Sequence, residues 1–176
     1  MIEELVGKRI ILRKAKVSDL ESMYYNVWSN NEIAKYMFWE KTNSYEAAID
    51  RLNRSIEFQK NNFAYFIALN STDEAIGFCG IKKEGNTVFE TGICIAEQYQ
   101  NQGLGSEVLE VLLKLAFNVL NANNFIYACM IDNVRSEKMC LKYGFKYLET
   151  KKEIRKWDGE ELMINYYELS LTDYKR

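Results

Sequence analysis

Gln100, Asn101 and Gln102 stand directly before Gly103, Leu104, Gly105 and Ser106, and beyond them Val108 to Phe117 is apolar except for Glu110 and Lys114. The run from Leu104 to Asn121 reads as a helix sunk against a sheet, because its polar positions Glu107, Glu110, Lys114, Asn118 and Asn121 fall on one narrow stripe. The first turn of such a helix has N–H groups without helical partners, and the dipole adds partial positive charge there. Gly103 and Gly105 remove side chains that would keep an anion off the main chain, and the three amides stand by as further donors. Residues 102 to 106 therefore form a candidate seat for a phosphate or pyrophosphate. The same glycines also suit a plain tight turn from strand to helix, with Ser106 as its cap. Neither common nucleotide loop fits: GxxxxGK[ST] is absent, and Val108 stands where GxGxxG needs its third glycine.

The rest of the chemistry is narrowed by what is missing. The 176-residue chain has no histidine, which removes every Ser-His and Cys-His nucleophile. Cys79, Cys94, Cys129 and Cys140 form no CxxC pair and lie in apolar stretches, so no metal site is expected and buried, reduced thiols are. Acid and base work then falls to carboxylates, tyrosines, thiols or main-chain groups. Along Val88 to Ala96, alternation puts Glu90 on one face with Gly92 and Cys94. A carboxylate on that small-residue face suits drawing a proton from an amine through water. An ordinary strand glutamate, facing solvent or held in an ion pair, is the competing reading.

These residues need elements to position them, and the chain has no proline, so turns are read from glycine, asparagine and charge. Gly7 to Ala15 reads as a strand, followed by a helix from Ser18 as N-cap to about Ser29. An aromatic loop, KYMFWEKTN, leads to a second helix of about four turns capped by Ser44. From Asn62 to Ala96 the period changes to that of three antiparallel strands, with Gly85-Asn86 at a tight hairpin turn. After the apolar helix come a strand NFIYACMI, apolar on both faces and so central, a short helix VRSEKMCLKYG, and two strands around Asp158-Gly159. The expectation is a single α+β domain over residues 1–176 with a mixed, largely antiparallel sheet.

A net charge of -2 gives no overall basic field for nucleic acid or an anionic membrane. No stretch reaches the ~18 to 20 apolar residues of a membrane span, and MIEELVGKRIILRKA lacks the apolar core of a secretion signal. A cytoplasmic protein, monomer or homodimer, is expected, with no nucleic-acid or membrane partner.

Gln100-x-x-Gly103-x-Gly105, closing a strand that follows a meander, resembles the (Q/R)xxGx(G/A) acyl-CoA pyrophosphate loop of the GNAT superfamily of N-acetyltransferases. NVRSEKMCLKYGF at 133 to 145 resembles that family's asparagine-led helix with its Gly-Phe ending. IILRKAKVSDLESMY and the closing strands around WDGEE are similar to the RimJ/RimL-like branch, which acetylates protein N-terminal amines. The resemblance implies the GNAT fold, a mixed, mostly antiparallel sheet of about seven strands flanked by about four helices. It implies acetyl-CoA as cofactor and direct transfer of acetyl to a primary amine, of a protein N-terminus or a small molecule, in a ternary complex. A catalytically quiet acyl-CoA-binding regulatory module is the alternative.

For single residues the resemblance implies several roles. It places the base at Glu90 and offers main-chain groups of Ile93, Cys94 and Ile95 to the pantetheine arm, one N–H steadying the oxyanion. Asn133 would bond the cofactor, or simply cap its helix. Cys140 stands where many members carry a tyrosine that protonates the departing thiolate, and Ser136 is a further donor on the same side of the helix. Acceptor recognition falls to the aromatic loop, with Tyr36, Phe38 and Trp39, and to the hairpin after Trp157, although clustered aromatics also pack as core or lid.

Overall fold

The computed structural model describes residues 2–175. They form a mixed sheet of eight strands with six helices, in two compact units. The first unit comprises the chain up to Ile81 together with Thr91–Leu112, and the second comprises Lys82–Glu90 and the chain from Leu113 onward.

In the first unit β1 (Glu4–Val6), β2 (Ile10–Arg13), β3 (Phe63–Leu69) and β4 (Ala75–Glu84) follow one another antiparallel, and β5 (Thr87–Ile95) comes next in the sheet. The meander of β3, β4 and β5 lies where the sequence puts it, and Gly85 at its hairpin has a φ of +57°. Helix α3 (Tyr45–Lys60) opens on Ser44, whose Oγ accepts the Ala47 N–H at 3.1 Å, as expected. Behind it Met23, Val27, Trp28, Ala48, Leu52 and Phe66 make the apolar core of this unit.

Four short elements depart from the reading. β1 and the four-residue helix α2 (Asn31–Ala34) were not expected, since pieces this short carry no period. The first expected strand contracts to Ile10–Arg13, because the Gly7 N–H turns back onto the Ile10 carbonyl at 2.8 Å. Ser18 is exposed and caps nothing. Asp19 heads the helix without a side-chain cap bond; its carboxylate accepts the Lys16 N–H at 2.7 Å within the preceding Val17–Asp19 turn and pairs with buried Arg13 at 2.8 Å. The helix it heads is only α1 (Leu20–Met23), continued by a π turn over Tyr24–Trp28 and ended at Ser29.

In the second unit the start of β5 pairs parallel with β6 (Asn124–Met130), which pairs antiparallel with β8 (Glu161–Ser170), and β8 with β7 (Lys146–Ile154). β6 is central and almost wholly buried, as its two apolar faces foretold. Helix α5 (Val134–Lys142) follows it, and Phe145 closes against Phe125 and Tyr127, each ring 5.8 Å away. A last short helix, α6 (Leu171–Tyr174), capped by Ser170, was not foreseen. The apolar helix α4 (Leu104–Lys114) continues as a π turn over Leu115–Val119.

Candidate active site

The turn ahead of α4 is built for a bare main chain. Asn101 and Gly103 have φ of +61° and +79°, the second a conformation that favours glycine. Asn101, Gln102 and Gly103 are exposed, whereas the Leu104 side chain is buried, so Leu104 offers only its N–H. The first main-chain bond of the turn, Glu107 N–H to Gly103 carbonyl, is 3.2 Å long. The Leu104 and Gly105 N–H groups ahead of it belong to the first helix turn, whose N–H groups lie beyond the reach of the helix's own carbonyls.

Two of the expected amide donors are turned elsewhere. Gln100 Nε2 donates to the Ile95 carbonyl at 2.8 Å, and Gln102 Nε2 to the Gln98 carbonyl at 2.9 Å. Both side chains brace the loop, because a chain forced through two positive-φ residues leaves main-chain carbonyls that need donors. Arg9, which the sequence reading passed over, supplies a cation at this turn. Its Nη1 donates to the Gln102 carbonyl at 3.0 Å, while its N–H and Nε reach the Glu107 carboxylate at 2.6 Å and 3.0 Å. A Cβ placed on Gly103 would lie 3.5 Å from the Arg9 guanidinium. Burial opposes the charged form of Glu107, but the bonds from Arg9 outweigh it and hold the carboxyl below its ordinary pKa. Nothing in the spacing of Arg9 and residue 102 signals this contact.

On β5 the expectation is met in part. Among the described residues, registered pairing of β5 with β6 is confined to Thr87–Asn124, Val88–Phe125 and Phe89–Ile126. Gly92 has a φ of +134°, so the simple alternation from Glu90 to Cys94 breaks there. Cys94 lies in the apolar core, and its thiol is pushed up to about 12 by burial. Its carbonyl abuts Gly77, where an added Cβ would sit 2.0 Å away, and the Ile95 carbonyl already holds Gln100. Those two carbonyls thus already have close neighbours.

Within the second unit the remaining candidates gather around a buried phenol. Tyr127 on β6 shares a 2.8 Å hydrogen bond with Ser136 on α5. Burial first, then the charge of Glu90, pushes the Tyr127 pKa well above its usual value, so the phenol keeps its proton. The half-buried Ser136 hydroxyl also bonds the Cys129 thiol, which burial pushes up to about 11. Beside them the Tyr167 phenol donates to Glu137 at 2.5 Å and accepts from the Asn165 amide at 3.2 Å. The set offers neutral hydrogen-bond donors beside two half-buried carboxylates, Glu90 and Glu137.

Cys140 fits less well than its position in α5 suggested. It is fully buried, bonds the Glu137 carbonyl at 3.1 Å, and burial raises its pKa to about 12. Its S–H is enclosed and already committed to a main-chain oxygen, which keeps it from a departing thiolate. Asn133 caps α5, its Oδ1 accepting the Ser136 N–H at 3.2 Å. Tyr127 was missed because a tyrosine in a doubly apolar strand reads as core, and its partner stands nine residues on in a different element.

The aromatic loop divides. Tyr36 lies under Lys35 Nζ at 5.1 Å, and Phe38 is half exposed. Trp39 packs 6.3 Å from Phe78, with the Arg51 guanidinium 4.1 Å from its ring.

Comparison with known proteins gives these features their class. Residues 9–146 match the model of the acetyltransferase (GNAT) domain, and the chain belongs to that family. It is 26% identical over 179 residues to the N-acetyltransferase p20 of Bacillus licheniformis, with 98% of this chain and 99% of that protein covered. The fold is shared with a GNAT-family acetyltransferase from Bacillus anthracis, at a TM-score of 0.82, 20% identity, and coverage of 96% of this chain and 99% of that one. It is shared too with the spermidine N-acetyltransferase of Vibrio cholerae, solved with CoA and spermine, at a TM-score of 0.75, 17% identity, and coverage of 96% and 99%. The protein is an N-acetyltransferase, and acetyl-CoA is its cosubstrate. The stripped, cation-flanked turn at 102–106 fits a diphosphate. No helix among the described residues is long and apolar enough to cross a membrane.

Proposed function

We propose that this enzyme acetylates a primary amine, of a protein N-terminus or a small molecule, by direct attack in a ternary complex, in the manner of the RimJ/RimL-like branch. The observation that carries the reading is the exposed positive-φ turn heading α4, with Gly103 beside Arg9. Acetyl-CoA, when bound, supplies the activated acetyl thioester. The N–H groups of residues 103 to 106 hold its diphosphate, Arg9 keeps that turn in place and adds positive charge, and Asn133 and an N–H of the Ile93 to Ile95 stretch contribute further hydrogen bonds.

Glu90 takes a proton from the incoming ammonium through water, which frees the nitrogen lone pair for attack on the acetyl carbon. As the new C–N bond forms and the C–S bond breaks, the departing sulfur is steadied by a hydrogen bond from Ser136, whose hydroxyl is oriented by its 2.8 Å bond with Tyr127, and takes its proton from water. Cys140 plays no part in the transfer. The whole of residues 1–176 serves as one acetyltransferase domain, cytoplasmic, as a monomer or homodimer.

Replacing Gly103 by valine tests the seat, because a β-branched residue is strained at a φ of +79° and its side chain covers the turn. Isothermal calorimetry is expected to give at least about a tenfold weaker Kd for acetyl-CoA, some ~1.4 kcal/mol. An unchanged Kd in a folded variant removes the seat. Mass spectrometry of products formed from acetyl-CoA and amine panels then identifies the acceptor.

A further inference from the structure

Arg51, on α3, differs from the other deeply placed arginines. Arg13 pairs with Asp19 and Asp73, and Arg155 with Asp158 and Glu160. Arg51 has no carboxylate within ion-pair distance among the described residues. Its Nη1 donates to the buried Thr42 hydroxyl at 3.0 Å, and its Cζ lies over the rings of Trp39 at 4.1 Å and Trp28 at 5.1 Å. Desolvation, uncompensated by a counter-ion, lowers the guanidinium to about 10, and it still carries its charge at neutral pH. A desolvated cation kept without an anion is costly in a structure that pairs its other buried guanidiniums.

The surroundings repeat the sign. Arg51 lines a pocket of about 680 Å³ together with Trp39, Lys41, Thr42, Arg54 and Ser55. Lys41 and Arg54 also lack ion pairs among the described residues, and Glu40 is the sole carboxylate in the lining. The first turn of α3, with Ser44 and Ala47, forms part of the wall and adds the positive end of a sixteen-residue helix. The indole N–H of Trp39 is buried with no acceptor. With Nη1 on Thr42, the remaining guanidinium N–H groups have no carboxylate partner among the described residues, and a guanidinium takes a carboxylate or phosphate with two parallel bonds. The volume suits a small molecule.

We propose that this pocket binds a compact anionic group, carboxylate or phosphate, of a small amine-bearing acceptor, with Arg51 as the residue that selects it. The proposal rests on the acetyltransferase reading and narrows its acceptor to small amines that carry an anion. A polyamine is repelled by Arg51, Lys41 and Arg54, and a protein N-terminus brings no such group close to its amine.

The test compares CoA release with L-amino acids, the matching amino acid amides, phosphoethanolamine and ethanolamine, in the wild type and in Arg51→Gln. The acids are expected to exceed their amides in kcat/KM by at least about tenfold, and this ratio to collapse toward unity in the variant. Phosphoethanolamine exceeding ethanolamine while the amino acids match their amides assigns the site to phosphate. Amides used as well as the acids together with ethanolamine used as well as phosphoethanolamine, or a preference that survives Arg51→Gln, overturns the proposal.

Binding is read separately by tryptophan fluorescence, since Trp28 and Trp39 flank Arg51. A saturable change with the anionic amines and not the neutral ones, lost in Arg51→Gln, supports the site even if no amine in the panel is acetylated. No such change in the wild type overturns it. Calorimetry with acetyl-CoA in parallel reports whether the acetyltransferase reading itself has failed. If Arg51→Gln does not fold, the pair Lys41→Gln and Arg54→Gln is measured instead. The preference for anionic amines is then expected to fall severalfold, and an unchanged preference counts against the pocket.

Discussion

At the scale of single residues, Glu90 is assigned the base, Ser136 and Tyr127 a hydrogen bond to the leaving sulfur, and Cys140 no part. Glu90→Gln keeps the shape of the side chain and removes the base, so kcat/KM is expected to fall about a hundredfold, within the usual range for a general base. Ser136→Ala and Tyr127→Phe each interrupt the same 2.8 Å bond, so each is expected to cost about tenfold in kcat, and the double variant no more than about tenfold again. Cys140→Ala is expected to cost less than about threefold, or ~0.7 kcal/mol of transition-state stabilisation, alongside a measurable loss of stability from the cavity. Stopped-flow or steady-state CoA release, paired with thermal melts, separates these outcomes. A Cys140→Ala loss near a hundredfold with an intact fold would return the acid role to the thiol. Of this cluster, Glu90, Ser136 and Cys140 were legible in the sequence because strand and helix periods put them on definable faces. Tyr127 was not, since whether a strand tyrosine is core or donor depends on what the next helix sets against its hydroxyl.

At the scale of elements, what could be read followed length and period. The helix of sixteen residues at α3, the meander of β3 to β5 and the hairpin of β7 and β8 all repeat their pattern often enough to declare themselves. β1, α2 and α6 run for three or four residues each, too few for a period, and are fixed by pairing or caps made after the chain has come together. The loop ahead of α4 falls between these cases. Its glycines were readable, but the direction of Gln100 and Gln102 was decided by carbonyls of Ile95 and Gln98. Arg9 and Glu107 join the N-terminal segment to the first turn of α4, so Glu107→Gln is expected to cost about 1 kcal/mol of stability, since Arg9 is half exposed and the pair partly screened. It should also weaken acetyl-CoA binding about threefold through a less fixed turn. The carboxyl is held below its ordinary pKa, so this contribution is full above about pH 4.5 and disappears as pH falls through the lowered value. Urea titrations at pH 7 and at pH 3 should give a larger difference between wild type and Glu107→Gln at the first pH than at the second.

For the whole molecule, the absence of histidine governs how stability and rate respond to pH. No side chain here has an ordinary pKa between about 5 and 8, so no side chain titrates in the middle of the physiological range by default. Below that range the carboxylates held low by their partners are lost: Asp73 by hydrogen bonds from Lys16 and Arg13, and Glu107 against its burial by Arg9. Above it, cysteines of the unfolded chain ionise near 9, while burial keeps Cys94 and Cys140 protonated to about 12 and Cys129 to about 11. The unfolded state then binds fewer protons than the folded one, so stability declines as pH rises from about 9. A plateau from about pH 5.5 to 8.5 is expected in the thermal midpoint, falling on both sides. The same argument bears on catalysis. Inside that plateau, a rising limb of kcat/KM reports deprotonation of the free acceptor, not of a histidine base, so its midpoint should move with the acceptor. Amines with pKa near ~8 and ~10 should give limbs about two pH units apart, measured as initial rates of CoA release across pH 6 to 10. A midpoint common to both amines would mean that a group on the enzyme sets it, and would remove the free amine from control of the rate.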